Sequence, residues 1–530
     1  MKYVEHPLIK SETIEARLYQ QVIFDSARQE NTLVVLPTGL GKTQIGVMLA
    51  ADRLSEYSDS NILMMAPTRP LVLQHQETFK NTIDMSEEDL KVLTGRTRPD
   101  DRKKEWKKGK IFFATPQTVE RDMISGRLSM RDFSLLIIDE AHRAVGDYPY
   151  SFIAERYRDL AKDTLILGLT ASPGGTMDRI EKVKKNLYIE NIEARSEDHP
   201  NVKPYVQEIE IERRMLEMPK PVSKIKKFLE KLLKSHLKKL KDMGFLDSIQ
   251  KVGKKDLLDV QKKIKKGQKE EGPNPPRKYF SGMMEQAAAF RLSHCIELLE
   301  SQGLESLKKY LDRLSQKSKK SGASKSLKRL LEEPQMKKVI RLVENSAGRV
   351  ENPKLEEAKE IISQQLSEKP DSRVILFAHY RDSVKELITE FKDLKNIHPA
   401  KFIGQSDRKD EDGLTQREQA NILEDFREGK VNLLVSTAVG EEGLDIPGVD
   451  LAIFYEPVPS EIRSIQRRGR TGRHRPGKVI VLIMKDTRDE AFYWSAVHKE
   501  KKMRETLREM SSKENDNNQN QKSLKEYGGD

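Results

Sequence analysis

Short runs of consecutive apolar residues recur in two separate blocks of this chain, and that repetition constrains its fold more than any other feature. The first block holds TLVVL from Thr32, NILMMA from Asn61, KIFFAT from Lys110, LLIID from Leu135 and TLILGLT from Thr164. The second holds RVILFA from Arg373, VNLLVST from Val431, DLAIFY from Asp450 and KVIVLIM from Lys478. Runs that are apolar at successive positions, not alternate ones, read as strands covered on both faces, the texture of a parallel sheet flanked by helices. A chain of 530 residues also exceeds what one core usually supports, at roughly 150 residues per domain. The expected fold class is therefore α/β, with two parallel-sheet domains.

Between the blocks, from about Pro200 to Val350, the texture changes to long helical patterns such as SKIKKFLEKLLKSHLKKLKDM, broken at GPNPP and at SKKSGASKS. Residues 221–340 carry 30 Lys and Arg against 14 Asp and Glu, a balance of +16; the whole chain is at +12, so the remainder is at −4. The basic character thus sits in an all-helical insert. One Lys-rich helix is usually a solvated face, but an excess spread over a whole domain favours a polyanionic partner.

The chain has one cysteine, Cys295, so neither an intramolecular disulfide framework nor a Cys-cluster zinc site is expected. No signal-like or membrane-spanning apolar segment is read, and the expectation is a cytoplasmic protein with no membrane partner. The expected boundaries are 1–199 and 350–488 for the sheet domains, 200–349 for the insert, 489–510 for a final helix and 511–530 for a polar tail too hydrophilic to pack.

After the first apolar run come Leu36, Pro37, Thr38, Gly39, Leu40, Gly41, Lys42 and Thr43, then the helical run QIGVMLAADRL. Strand, glycine loop and helix in that order make a phosphate cradle. The glycines let backbone N–H groups turn onto phosphates, the helix start adds a positive dipole, and Lys42 reaches the β and γ phosphates. Thr43 is set to ligate Mg²⁺, so ATP and Mg²⁺ are the expected cofactors. The general pattern has Gly where this chain has Leu36.

The run at Leu135 ends in Asp139-Glu140-Ala141-His142. A carboxylate at the C-terminal end of a buried strand lies where α/β sheets place ligands. Asp139 is the expected metal holder and Glu140 the general base that orients the attacking water. Alone, an Asp-Glu pair is more often the first turn of a helix. Its position downstream of a phosphate loop reverses that reading.

These residues resemble the DEAH-type helicases of superfamily 2, with the resemblance running from Arg17 to Arg473. It implies two RecA-like domains. Arg17-Leu18-Tyr19-Gln20 is similar to the adenine-recognising Q motif, with Arg17 and Gln20 at the nucleotide. Thr68-Arg69 and Thr115-Pro116-Gln117 resemble the strand-tracking motifs, so Thr68, Arg69, Thr115 and Gln117 are expected at nucleic acid. Thr170-Ala171-Ser172 resembles the motif that couples hydrolysis to domain closure. The segment from Ser436 to Ile446 resembles a further motif that implies Thr437 at nucleic acid and Gly443 and Asp445 at the nucleotide. Gln466-Arg467-Arg468-Gly469-Arg470-Thr471-Gly472-Arg473 matches the last motif. There Gln466, Arg470 and Arg473 are expected at the transferring phosphate, a role that the planar, always charged guanidinium suits on its own chemistry.

TASPGG, the GEEGLDIP segment and the long insert narrow the resemblance to the archaeal Hef and Fanconi anaemia M group. That implies an archaeal protein acting on forked or branched duplex DNA at stalled replication forks, with the insert gripping duplex. Hef also carries an XPF-like nuclease; the polar tail here has no ERKxxxD-like signature, so either that half has been removed or the protein works without one, and no nuclease activity is assigned. Two other readings stay open: a motor directed to duplex RNA, and an ATP-switched nucleic-acid-binding scaffold. A separate nuclease or replication clamp as partner is unresolved by the residues.

Overall fold

The computed structural model describes residues 2–37, 39–171, 177–196, 199–205, 210–250, 252–403, 413–437, 449–457, 477–495, 497–498, 501–502 and 505. Seven strands form the first sheet: β1 (Thr32–Val35), β2 (Asn61–Met65), β3 (Leu90–Leu93), β4 (Ile111–Ala114), β5 (Phe133–Asp139), β6 (Ile166–Thr170) and β7 (Asn191–Ala194). Their order is β3-β4-β2-β5-β6-β1-β7, and every pairing is parallel. Helices such as Lys42–Glu56 and Pro149–Leu160 connect the strands and cover both faces, giving one apolar layer on each side. Each fully buried Val, Leu, Ile or Phe in these layers stabilises the fold by roughly 1.5–3 kcal/mol before entropy is counted.

The second sheet has the order β10-β11-β9-β12-β13-β8 and is also parallel throughout. Its strands are β8 (Glu210–Leu216), β9 (Val374–Ala378), β10 (Pro399–Phe402), β11 (Leu433–Thr437), β12 (Leu451–Phe454) and β13 (Lys478–Met484). Two parallel-sheet domains with a helical bundle between them are thus the observed architecture.

The expected insert boundary needs one correction. Residues 210–216 lie inside the stretch 200–349 read as helical, yet they form β8 and pair with β13 from Glu210 opposite Lys478 to Leu216 opposite Met484. Just upstream, Val202 is fully buried in the first domain's core and Tyr205 packs against it. The chain therefore finishes the first domain, adds an edge strand to the second sheet, and only then enters the bundle at Lys220.

Six helices make the bundle: Lys220–Asp242, Lys254–Glu270, Arg277–Ser301, Leu304–Lys319, Lys325–Glu332 and Pro334–Ser346. Ile225, Leu229 and Leu232 recur at helical spacing on the first and meet Leu292, Leu299, Leu307 and Val339 in one core. Cys295 is buried there, its thiol pushed up to about 12 by burial. On the opposite face of the first helix, Lys224, Lys227, Lys231, Lys234 and Lys238 are exposed at alternating spacings of three and four.

Ion pairs fasten the bundle to the second domain. Arg488 lies 3.5 Å from Glu300 and 3.6 Å from Glu297, the Tyr380 hydroxyl donates to Glu297 at 2.7 Å, and Lys226, paired with Glu300 inside the bundle at 2.7 Å, donates to the carbonyl of Asp486. Lys354 and Asp489 form a fully buried pair, and Tyr493 enters the second domain's core, so the segment after 488 begins as a helix packed on that domain. Among the described residues no helix is long and apolar enough to cross a membrane.

Candidate active site

The C-terminal ends of β1, β5 and β6 lie side by side on the first sheet, because β6 separates β5 from β1. The loop after β1 turns through Gly39 at φ +88° and Gly41 at φ +69°, and Gly41 caps the Lys42–Glu56 helix in the left-handed conformation. Glycine is required at position 41 for a second reason: a Cβ there would lie 2.3 Å from Gln20 Nε2. The Lys42 ammonium donates to the carbonyls of Leu36 at 2.9 Å and Pro37 at 3.2 Å, which holds it over the loop. Thr43 follows on the first helical turn, half-buried.

The Q-motif residues close on this loop. The buried Tyr19 hydroxyl donates to Leu40 O at 2.8 Å, and Gln20 Nε2 donates to Leu40 O at 3.2 Å and Gly41 O at 3.4 Å. Both partners of Gln20 are carbonyls, so its amide orientation is dictated. Arg17 pairs with Glu15 at 2.9 Å and stacks its guanidinium 4.9 Å from the Tyr205 ring centre. Tyr205 belongs to the segment that leads to β8. No sequence motif marks it.

β5 carries seven buried residues and ends at Asp139, which is only 7% exposed. Asp139 Oδ2 accepts from His75 Nε2 at 2.8 Å, and the Asp139 carbonyl accepts from the Tyr150 hydroxyl at 2.7 Å. Burial alone would push the Asp139 carboxyl up; the His75 ring and the Lys42 ammonium outweigh it and hold the carboxyl below the usual carboxylate range. An ionised carboxylate on the same sheet edge as the phosphate loop and Thr43 offers hard oxygens, the kind that Mg²⁺ takes.

Glu140 takes a left-handed backbone at φ 51° and ψ 45°, a conformation that costs a non-glycine residue on the order of 1–3 kcal/mol. This conformation turns the chain sharply after Asp139. His142 Nδ1 lies 3.1 Å from Glu140 Oε2 and 3.0 Å from Thr170 Oγ1 at the end of β6. The DEAH segment therefore touches the Thr170-Ala171 segment through one imidazole. Sequence reasoning gave His142 no function beyond packing or motif geometry, and it missed His75, whose only signal is a histidine on the buried face of an otherwise amphipathic helix.

Of the residues expected at nucleic acid, Thr68 and Arg69 start the helix Arg69–Thr82 after β2, and Thr115 and Gln117 start Pro116–Ile124 after β4. Since β2 and β4 are neighbours, both helix starts fall on the same rim of the sheet. The Thr68 hydroxyl is buried without a hydrogen-bond partner, Thr115 Oγ1 meets Thr118 Oγ1 at 2.9 Å, and Gln117 is exposed. Burial and the neighbouring Arg96 lower the Arg69 guanidinium pKa. In the second domain Thr437 ends β11 with its hydroxyl buried and without a hydrogen-bond partner. Thr38, Ser172, Gly443, Asp445, Gln466, Arg470 and Arg473 lie outside the described residues.

A parallel sheet whose ligand edge gathers a phosphate loop, Asp139 and a strained Glu140, followed by a helical bundle and a second parallel sheet, is the domain arrangement of the superfamily 2 helicases. The chain belongs to the Hef helicase family. It is 44% identical to the solved structure of the Pyrococcus furiosus Hef helicase domain, with a TM-score of 0.74, over 92% of this chain and 100% of that one. A Methanocaldococcus jannaschii protein, provisionally named an ATP-dependent RNA helicase, is 42% identical over 96% of this chain and 63% of its own length. The Neurospora crassa ATP-dependent DNA helicase mph1 is 32% identical over 90% of this chain and 41% of its own. The chain thus spans less than two thirds of these two relatives' length. Family models match in three segments: the res subunit of type III restriction enzymes over 11–175, the helical bundle of an ATP-dependent RNA helicase over 222–348, and the helicase conserved C-terminal domain over 354–475.

Proposed function

We propose that this chain is an ATP-dependent motor that remodels forked or branched duplex DNA, of the kind needed to repair stalled replication forks. The observation that carries the reading is the set of interactions at the first sheet's ligand edge, where Lys42 faces Asp139 and His142 links Glu140 to Thr170. Lys42 and the loop N–H groups bind the phosphates, and Gln20 and Arg17 sit at the base. Thr43 and Asp139 would hold Mg²⁺, which neutralises phosphate charge when bound. Glu140 orients the attacking water and takes its proton; Gln466, Arg470 and Arg473, with Gly443 and Asp445, complete the site from the second domain.

Thr68, Arg69, Thr115, Gln117 and Thr437 contact the phosphate backbone, which carries no sequence information. The lysine row from Lys224 to Lys238 spans about 21 Å at 1.5 Å per residue, long enough to follow several phosphates of a duplex. The preference for DNA draws support from relatives named DNA helicases. A duplex-RNA motor is the second reading, favoured by the bundle model's description and by the name of the Methanocaldococcus jannaschii protein.

Steady-state ATPase measured with no nucleic acid, single-stranded DNA, duplex DNA, forked DNA and duplex RNA separates these readings. Strongest stimulation by forked DNA is expected. Strongest stimulation by duplex RNA would move the substrate to RNA, because backbone-reading motifs serve both while 2′-hydroxyl contacts discriminate. Stimulation with no strand displacement or branch migration would leave an ATP-switched scaffold.

A further inference from the structure

His75 lies on the buried face of the helix Arg69–Thr82, six residues after Arg69, and reaches across to the end of β5. Its Nε2 is 2.8 Å from Asp139 Oδ2, with the two side chains 7% and 11% exposed. A carboxylate oxygen only accepts, so Nε2 carries the hydrogen and the tautomer facing Asp139 is fixed. The other ring nitrogen, Nδ1, is buried with no hydrogen-bond partner. A residue that merely filled this space would be better apolar, since an orphaned ring nitrogen is a cost with no packing return. What the imidazole adds over a leucine is the bond to Asp139. That bond ties one carboxylate oxygen to a helix of the scaffold and fixes how the carboxylate is presented beside Lys42 and the phosphate loop. Carboxylates that hold metal ions are commonly oriented by such hydrogen bonds, and losing the orienting group typically lowers metal affinity about 10–100-fold.

We propose that His75 is a positioning residue for the cation site: it holds Asp139 in the orientation needed to bind Mg²⁺ with the nucleotide. The proposal rests on the reading of Asp139 as a metal holder. The test is binding of N-methylanthraniloyl-ADP to the full chain, followed by fluorescence as Mg²⁺ is raised from none, in EDTA, to saturation. His75→Leu removes the bond and keeps the packing; His75→Gln keeps an amide donor at a similar reach; His75→Asn is polar but too short.

We expect His75→Leu and His75→Asn to raise the Mg²⁺ concentration for half-maximal binding about tenfold or more, with His75→Gln close to the parent chain. Affinity in EDTA should not change in any of the three. Unchanged Mg²⁺ dependence in the Leu and Asn variants would overturn the proposal. So would an equal loss of nucleotide affinity with and without Mg²⁺, which marks damaged packing. Should the Leu variant fail to fold, the Asn and Gln pair decides the matter alone. Asp139→Ala is the separating control: if it leaves the Mg²⁺ dependence as it was, the underlying reading of Asp139 fails; if it abolishes that dependence while the His75 variants do not alter it, only the role of His75 fails.

Discussion

The ligand edge of the first sheet and the junction between the helical bundle and the second domain are both polar, and they handle buried polar groups in opposite ways. At the junction, polar groups meet partners across it: Arg488 pairs with Glu300 and Glu297, the Tyr380 hydroxyl donates to Glu297, and Lys226, paired with Glu300 in the bundle, donates to the carbonyl of Asp486. At the ligand edge, polar atoms are aimed but incompletely satisfied. The Thr68 hydroxyl and His75 Nδ1 have no hydrogen-bond partner, and Glu140 is held in a strained backbone. Buried polar groups are normally satisfied, so unsatisfied ones mark places where the fold gives up stability. The junction is built to stay closed and carry the bundle with the second domain. The ligand edge is built to receive something.

The largest expected effect tests that division at its most strained point. Glu140→Gln keeps the shape and removes the proton acceptor, so ATP turnover should fall by on the order of 10²–10⁴-fold. Binding of N-methylanthraniloyl-ATP should stay near that of the parent chain, because the side chain acts on water and not on the phosphates' charge. Loss of binding together with turnover would mean that Glu140 supports the edge structurally, and the contrast with the junction would collapse.

Lys226→Met makes the opposite test. Lys226 pairs with the buried Glu300 of its own bundle and joins both to the second domain through the carbonyl of Asp486. Breaking a buried pair by removing one member leaves an uncompensated carboxylate, and because Lys226 keeps some exposure to water the expected loss is roughly 2–3 kcal/mol of unfolding free energy. Burial, the largest influence on Glu300, already raises its pKa despite Lys226, so the lone carboxyl can take a proton and limit the damage. Urea unfolding should show the loss, while nucleotide affinity at the first domain should hold. A variant as stable as the parent would show that Lys226 adds nothing to what Arg488, Tyr380 and packing already hold.

Most of the sheet structure was readable in the sequence, and what escaped it follows one physical rule. The nine strands picked out by apolar runs, β1, β2, β4, β5, β6, β9, β11, β12 and β13, all lie inside their sheets. The four that were missed, β3, β7, β8 and β10, are the sheet edges. An edge strand has a neighbour on one side only and is less covered, so it needs no continuous apolar run. β8 reads Glu-Ile-Glu-Arg-Arg-Met-Leu, with Ile211 and Met215 exposed, and its charges made it look like part of the basic insert. At the site, Lys42, Asp139 and Glu140 stood out as candidates because each sits in a local pattern, a glycine loop opening a helix or an acidic pair ending a buried strand. His75 and Tyr205 did not, because each meets its partner only after distant elements are brought together.

The junction also makes a prediction in pH. Burial alone would push the Glu297 carboxyl up, but donors from His294, Lys254 and Tyr380 outweigh it and hold it at about 2. A depressed carboxyl contributes stability that is fully present above its unfolded value of 4.5 and is lost as pH falls toward about 2. Glu297→Gln should therefore lower the melting temperature near neutral pH and flatten its fall between those two values. Parallel melting curves for variant and parent across the window would remove Glu297 from the set of groups that hold the bundle.

The smallest expected effect concerns a third kind of polar surface, the lysine row on the Lys220–Asp242 helix, which lies apart from both the edge and the junction. Lys224, Lys231 and Lys238 are exposed on one face, seven residues apart, while the buried face of the same helix carries Ile225, Leu229 and Leu232. Replacing the three lysines with glutamine changes neither face's packing, so unfolding free energy should move within about 0.5 kcal/mol. If the row lies along duplex phosphates, the slope of log affinity against log salt should become shallower by about 0.9 for each phosphate that is no longer neutralised. Fluorescence anisotropy on a forked duplex at several salt concentrations reads that slope directly. An unchanged slope would make the row a solvated face; a shallower one with normal stability would assign the bundle two working surfaces, one locked to the second domain and one turned to the nucleic acid.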